Sequence, residues 1–322
     1  MTDYKIKPVT ESGILSAITV VMALIGVYVP VVGWVAALVW PLPIILLIVR
    51  HGLRWGLMAI AVSGALMAML LEPLLALRLI ITFAPVAVAL GIGYRWGLGA
   101  AKLLTYAGIA SVAANAALLF LMMLLMNVNP LAIQVDAMKE AFDSSLAMYR
   151  GMNLSEAQLA ETEKNFAAIM EVMSMLLPLV IVMTGLLEAY INFWAADKAL
   201  RRLGHRDLPQ LPAFSEWRLP PVFLYLYGFG LVGMYWGGTR EMDGLYQLSI
   251  NVNMLASFFG FIQGMSLLQC LFNHFGMSRL VRTVIIIVVF LGGALWQIVA
   301  FTGLFDMVFD YRKRFRSENN SK

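Results

Sequence analysis

Charged residues are scarce in this 322-residue chain, where aspartate, glutamate, lysine and arginine together make up 13% of the residues. Soluble domains carry about 25% of such residues, so the composition excludes an ordinary soluble protein. Cysteine occurs once, as Cys270, which excludes an intramolecular disulfide and a thiolate metal site. The three histidines, His51, His205 and His274, are far apart in sequence and lie at the ends of apolar segments. We therefore expect neither a metal ion nor a cofactor.

Motifs that carry chemistry are also lacking. The chain has no G-x-x-x-x-G-K, no H-E-x-x-H, and no serine and histidine together within an apolar segment. The stretch GFGLVG (228–233) has the spelling of a dinucleotide loop, but it lies inside an apolar segment, where glycines let helices approach closely. Asp306 and Asp310 form a D-x-x-x-D without further acids around them. We therefore predict a protein that is not an enzyme.

The chain is rich in long apolar segments instead. Hydrophobic residues make up 61% of it, and several apolar runs reach the roughly 20 residues that a membrane-spanning helix needs. The sequence predicts an all-α, polytopic transmembrane helix bundle of about eight to ten spans in a lipid bilayer. The net charge of +4 does not indicate nucleic-acid binding, because the basic residues lie mostly at the ends of apolar runs. The candidate spans are 12–29, 31–49, 55–71, 74–93, 98–126, 166–197, 219–237, 246–273 and 280–310.

The basic residues of the short loops predict the orientation of the spans. If the spans alternate, these residues fall on one side, which should be the cytoplasm, so that the N-terminus lies inside. They are Lys5, Lys7, Arg50, Arg54, Arg95, Lys102, Lys198, Arg201, Arg202 and Arg206.

The C-terminal end conflicts with this alternation, because nine full spans would leave the basic stretch YRKRFR (311–316) outside. As one helix, residues 280–309 would be about 45 Å long, which is too long for an upright span. A break at Gly292 and Gly293 would give two half-spans and return the tail to the cytoplasm. One long, tilted helix with an outside tail is the alternative.

These patterns predict a domain organisation with a membrane bundle at each end of the chain. Residues 1–202 form a six-helix bundle, 203–218 a cytoplasmic linker, 219–310 the C-terminal membrane helices, and 311–322 a basic cytoplasmic tail. Residues 127–165 form an outer helical hairpin that either covers the mouth of the bundle or lies on lipid headgroups. Its second helix should begin at Ser155, which starts a capping-box pattern, and continue into the sixth span with a bend at Pro178.

Small residues spaced four apart predict close helix packing, either within the bundle or with a partner subunit. The eighth span also carries a small and polar stripe that includes Asn253 and Gln263. This stripe should face inward, either for packing or as a hydrophilic path. The packing pairs are Gly13/Ala17, Gly233/Gly237 and Gly260/Gly264.

Ionisable and polar residues inside the spans are the candidates for substrate binding. Arg78 lies near the outer end of the fourth span, close to Glu72. It either extends to the headgroups or points into an outer cavity, where a guanidinium can bind a carboxylate or phosphate. The face opposite Arg78 is wholly apolar and could meet lipid. Glu188 lies deeper, nearer the inner side, and Asn115 lies at a middle depth. The Glu188 acid either carries a coupling proton or is neutral and structural.

Residues 10–200 resemble the S components of energy-coupling-factor transporters in the order of their elements. This order is two short hairpins, a long span, a long outer loop and a second long span. The whole chain looks like the YybS-like family of uncharacterised bacterial polytopic membrane proteins. That likeness rests on NFWAADKALRRLG (192–204), FGFIQGMSLL (259–268) and above all GLFDMVFDYRKRF (303–315). The resemblances imply a bacterial cytoplasmic membrane. The S-component likeness implies capture of a small-molecule ligand at the outer face. It also implies a membrane coupling subunit that works with cytoplasmic ATPases. This coupling subunit would meet the Gly13/Ala17 surface.

Two functions from different classes remain open. The first is a transporter-type subunit that binds a small solute. The second is a scaffold or assembly protein that acts through protein partners, with 198–218 and 311–316 as docking patches for partners or anionic lipid.

Overall fold

The computed structural model describes residues 3–126, 130–150, 156–205 and 207–313. All regular structure in these residues is helical, as the sequence predicts. A short 3₁₀ turn lies at Phe214–Glu216. The α-helices are α1 (Asp3–Tyr28), α2 (Val32–Val39), α3 (Leu42–His51), α4 (Leu53–Leu70), α5 (Pro73–Arg95), α6 (Ala100–Met126), α7 (Pro130–Arg150), α8 (Glu156–Met175), α9 (Leu177–Arg202), α10 (Val222–Thr239), α11 (Asp243–His274), α12 (Arg279–Leu291) and α13 (Gly293–Phe309).

Two compact units divide these helices. Unit 1 comprises residues 1–153 and 180–210, and unit 2 comprises residues 154–179 and 211–322. The boundary passes through the first turn of α9, so that most of this helix belongs to unit 1 while its beginning packs within unit 2.

Within the described residues, six helices are long and apolar enough to cross a membrane: α1 from Pro8, α4, α5, α6, α9 and α11. The bent pair of α12 and α13 would make a seventh. This count of six or seven candidate spans is lower than the eight to ten that the sequence predicts. Residues 31–49 are two short helices, because Pro41 has no backbone N–H with which to continue α2. The 18-residue α10 is not among the six either, because its five glycines, three tyrosines and one tryptophan lower its mean hydropathy.

The connections between the first helices are as short as the sequence predicts. Gly52 alone separates α3 from α4, and its φ of 97° is a conformation that glycine adopts without steric cost. Leu71 and Glu72 separate α4 from α5, which begins at Pro73, where a missing N–H costs nothing. These tight turns bring α3, α4 and α5 together around the fully buried side chain of Ile48.

The predicted outer loop carries two helices, α7 and α8. The predicted break at GMNL and the N-cap Ser155 lie outside the described residues. The second helix was expected to continue into the sixth span, but α8 ends at Met175 and α9 begins at Leu177. Pro178 fits this interruption, because a proline in the first turn of a helix forfeits no hydrogen bond.

Asn251 of α11 hydrogen-bonds to both sides of the interruption between α8 and α9 within unit 2. Its Nδ2 donates to the carbonyl of Met175 at 2.7 Å, and its Oδ1 accepts from the backbone nitrogen of Leu179 at 2.9 Å. One side chain therefore satisfies both a carbonyl at the end of one helix and an N–H at the start of the next. Sequence reasoning did not single out Asn251, because its role depends on a neighbouring helix.

The last apolar region is interrupted at Gly292, as expected. The axes of α12 and α13 differ by 104° across this residue, which has extended backbone angles. With 13 residues, α12 is about 20 Å long, and it is too short to cross the hydrocarbon core alone.

Glycines set the close packing of α10, α11 and α13 in unit 2. A Cβ on Gly237 would lie 2.7 Å from the backbone nitrogen of Tyr246, and Gly233 lies directly against Ser249. A Cβ on Gly260 would lie 2.7 Å from the carbonyl oxygen of Ala300. The polar stripe on α11 is buried between these helices, since Asn253 is 8% and Gln263 1% exposed.

The other packing glycines occupy contrasting environments. Gly264 lies directly against the carbonyl of Val299, and Gly303 of α13 lies against both Gly260 and Gly264. Gly13 and Ala17 of α1 are exposed instead, and within the described residues no atom lies within 4 Å of the position of a Cβ on Gly13.

Candidate intramembrane polar site

A carboxyl group is buried between α6 and α9 in unit 1. Oε2 of Glu188 accepts a hydrogen bond from the Ser111 hydroxyl at 2.7 Å and another from Asn115 Nδ2 at 2.9 Å. Glu188 is 9% exposed and Ser111 is fully buried. We call Glu188, Ser111 and Asn115 the Glu188 cluster.

The close approach of α6 and α9 makes this cluster possible. A Cβ on Gly185 would lie 2.8 Å from the backbone nitrogen of Val112, so only glycine fits there. Because the backbones are so close, the short side chains of Ser111 and Asn115 reach a carboxyl on the facing helix. Ser111 and Asn115 are four residues apart and therefore share one face of α6.

Asn192 extends the polar face of α9 by one turn. Its Nδ2 donates to the backbone carbonyl of Glu188 at 2.9 Å, and the side chain is fully buried. Its Oδ1 is buried without a hydrogen-bond partner among the described residues. A buried acceptor without a donor is uncommon in folded proteins. The face therefore carries an amide oxygen that is able to accept a further hydrogen bond.

Arg78 and Glu72, the other predicted binding residues, do not join this cluster. Both side chains are exposed. The opposite face of α5, which the sequence left free to meet lipid, is buried, since Ala76 is 1%, Phe83 8% and Ala87 0% exposed. Of the two predicted orientations, the exposed Arg78 side chain fits extension to the headgroups better than a place in a buried pocket. Small and apolar residues form the face of α5 that packs on its neighbours, which leaves the arginine on the outside.

A second polar network lies in unit 2, where α13 ends. Oδ2 of Asp306 accepts hydrogen bonds from Gln263 Nε2 at 2.7 Å and from Arg312 Nε at 3.2 Å. Arg312 also donates from Nη1 to the carbonyl of Ser215 at 2.7 Å and from Nη2 to Ser266 Oγ at 3.0 Å. We call this set the Asp306–Arg312 network. It connects the end of α13 with α11 and with the 3₁₀ turn.

Sequence reasoning missed this network because it treated Arg312 as part of a solvated basic tail. The signal that was available is Asp306, an acid in the last apolar run, with a basic residue six positions later. Ser111 was missed too, because a serine in an apolar helix has no distinctive neighbours in sequence.

The helices and their buried polar groups define a polytopic, α-helical membrane protein. Residues 17–307 match the family described as predicted membrane protein DUF2232, and the chain belongs to that family. It is also similar to the uncharacterized protein YybS of Bacillus subtilis, with 24% identity over 325 residues that cover 95% of this chain and 97% of that protein. No solved structure matches the chain.

Proposed function

We propose that this protein is a transporter-type membrane subunit that binds a small solute at the Glu188 cluster and is not an enzyme. The observation that carries the proposal is the carboxyl of Glu188, buried between two apolar helices and hydrogen-bonded to Ser111 and Asn115. Ionisable residues inside membrane helices are costly, and they commonly mark the path of a solute or an ion.

The polar groups of the cluster suit recognition of a small molecule. A carboxyl accepts hydrogen bonds or pairs with a cation, and the Asn192 amide oxygen is a further acceptor on the same helix face. Basic side chains do not contact the Glu188 carboxyl in the described part of the chain. A neutral or cationic solute therefore fits this site better than the anion that an inward Arg78 would bind.

The resemblance to S components supports the same class of function. It would add uptake from the outer face and a coupling subunit with cytoplasmic ATPases. The exposed pair Gly13 and Ala17 on α1 would then be the surface that meets this subunit. Both termini would lie in the cytoplasm, as the distribution of basic residues predicts.

Mass spectrometry of co-purified small molecules tests this proposal. The full chain is purified in nanodiscs, extracted with organic solvent, and compared with Glu188→Gln and with the control Glu171→Gln, whose side chain is exposed. We expect a small molecule with the wild type and with Glu171→Gln that is lost or strongly reduced with Glu188→Gln. Equal recovery from all three proteins, or from none, would count against solute binding at Glu188.

The Asp306–Arg312 network favours a second candidate, a scaffold that docks partners. It joins Ser215, in the first predicted docking patch, to Arg312, in the second, so parts of both patches are in contact within unit 2. At its edge Arg218 and Lys313, both exposed, pair with Asp310. For this candidate, a partner protein should co-purify with the wild type and be lost when Arg218 and Lys313 are both changed to glutamate.

A further inference from the structure

We propose that the carboxyl group of Glu188 is a proton-binding site that gains and loses a proton as the protein works. The inference rests on the proposed function, because it assigns the coupling ion to the same side chain that binds solute. In one state the cluster would be neutral and in the other negative. Binding of a solute, or a motion of the protein, that favours one of these two states would thereby be coupled to proton binding at Glu188.

The two hydrogen bonds to Glu188 leave one carboxyl oxygen for the proton. Ser111 and Asn115 both donate to Oε2, and Oε1 has no donor among the described residues. When the group is charged, both bonds stabilise the carboxylate. When the group is neutral with its proton on Oε1, Oε2 is the carbonyl oxygen and still accepts both bonds. The surrounding side chains therefore accommodate both states without rearranging.

No charged side chain in the described part of unit 1 contacts Glu188 and compensates its negative charge. Of the helices that contact this part of α9, α6 carries Lys102 and Tyr106, both exposed. On α5, the Tyr94 hydroxyl donates to the carbonyl of Phe193, and Arg95 is exposed. The remaining titratable side chains of α5 and α9 in this unit are Arg78, Tyr190, Asp197, Lys198, Arg201 and Arg202.

These remaining side chains contact other residues or are exposed at the surface of unit 1. Asp197 pairs with Arg201 at 2.8 Å, and Lys198 lies over the ring of Trp194 at 3.9 Å. A charged carboxyl without a compensating cation is unfavourable among apolar helices, whereas the neutral acid is tolerated. A proton is the smallest cation that removes the charge, and it needs no further ligands.

Asn192 provides an acceptor for the group that delivers the proton. Its Oδ1 is fully buried and unpaired among the described residues, one turn from Glu188 on the same face of α9. A water molecule that carries a proton donates hydrogen bonds and requires such an acceptor. In the binding step a proton leaves this water and forms an O–H bond at Oε1. The carboxyl changes from negative to neutral, and release reverses the step.

Infrared difference spectroscopy tests the proposal without any solute. The full chain in nanodiscs is compared between alkaline and mildly acidic buffer, and the probe is the proton alone. We expect a band of a protonated carboxylic acid in an apolar environment. The band should be absent in Glu188→Gln, shifted in frequency in Ser111→Ala, and unchanged in Glu171→Gln. A wild-type spectrum without the band, or a band that survives Glu188→Gln, would overturn the proposal.

Glutamine is a close substitute, because its amide oxygen still accepts from Ser111 and Asn115. If Glu188→Gln does not fold, Glu188→Asp and Ser111→Ala carry the test. Each should keep the acid band at a changed frequency, and an unchanged frequency in both would overturn the assignment.

A comparison of potassium and sodium buffers distinguishes a site for a proton from a site for a metal cation. The wild type is held at mildly acidic pH while potassium chloride is replaced by sodium chloride. We expect the acid band to remain, and its loss in sodium would assign the site to Na⁺ instead. The proposed function can fail independently, because a wild type that shows the band and yields no small molecule binds protons without binding a solute.

Discussion

Arg312 Nε lies 3.2 Å from Asp306 Oδ2, and each side chain is only 1% exposed. This is a buried ion pair whose remaining hydrogen-bonding groups contact Gln263, Ser266, the carbonyl of Ser215 and the backbone nitrogen of Tyr311. Such a pair adds little net stability relative to apolar residues of the same size, but the loss of one partner leaves a buried charge unpaired.

The first prediction concerns this pair. Asp306→Asn should lower the free energy of unfolding by about 3–5 kcal/mol, because it leaves the Arg312 charge unpaired. The double variant Asp306→Leu with Arg312→Met should be more stable than Asp306→Asn, because no buried charge remains. Thermal unfolding in detergent, followed by tryptophan fluorescence, measures the order of stability.

The partly exposed pair Arg218–Asp310 provides the matched control for that experiment. Its N–O distance is 2.8 Å, but the arginine side chain is 50% exposed. Arg218→Gln should therefore change stability by less than about 1 kcal/mol. If Asp306→Asn proved as mild as Arg218→Gln, the buried pair would not hold the end of α13 against α11 and the 3₁₀ turn as described.

The second prediction concerns Asn251, which bridges the interruption between α8 and α9. Asn251→Leu should destabilise unit 2 by about 1–3 kcal/mol, because it leaves the backbone N–H of Leu179 unpaired and removes the short hydrogen bond to the Met175 carbonyl. Gln247→Leu is the control, since this exposed side chain, one turn away, makes a single 3.5 Å contact with the same Met175 carbonyl. Hydrogen exchange at Leu179 should accelerate in the first variant and stay unchanged in the second.

The third prediction concerns the contact of α11 with α13. Gly260→Leu should reduce the yield of folded protein, because a Cβ there would lie 2.7 Å from the carbonyl oxygen of Ala300. Gly244→Leu on the same helix should be tolerated, since among the described residues nothing lies within 4 Å of its Cβ position. Size-exclusion profiles in detergent compare the two. Equal profiles would mean that α11 and α13 can separate without penalty.

The fourth prediction concerns the side of the membrane on which the chain ends. The break at Gly292 and the basic residues after Asp310 predict a cytoplasmic C-terminus. A reporter that is active only in the cytoplasm, fused after Lys322, should be active. Activity from a reporter that works only outside the cytoplasm would instead favour α12 and α13 together as one broken span.

The interruptions of the helices were the most predictable part of the fold. Gly52, Pro73 and Gly292 act locally, through φ, a missing N–H or weak helix propensity, so their effects are visible in sequence. The orientation of α5 could not be predicted in this way. That helix is apolar on nearly all sides, so a lone Arg78 did not reveal which face packs against α3, α4 and α6.

The candidate site was predictable one residue at a time and not as a whole. Glu188 and Asn115 stand out in sequence because each is polar within an apolar run. Their proximity depends on Gly185, which allows α9 to approach Val112, and a sequence pattern gives the face of a helix without naming its partner. Ser111 and Asn192 acquire their roles only from that pairing.

The length of α11 has a consequence for the bilayer around unit 2. Its 32 residues extend about 48 Å, whereas a hydrocarbon core is about 30 Å thick. Glycine contacts fix this helix to α10 near Tyr246 and to α13 near Ala300, so it cannot shorten by kinking between them without breaking one contact. The mismatch must be absorbed by tilt, by protrusion of the helix ends, or by local thickening of the lipid. The thickness of the host membrane thereby becomes one of the variables that set the packing of this unit.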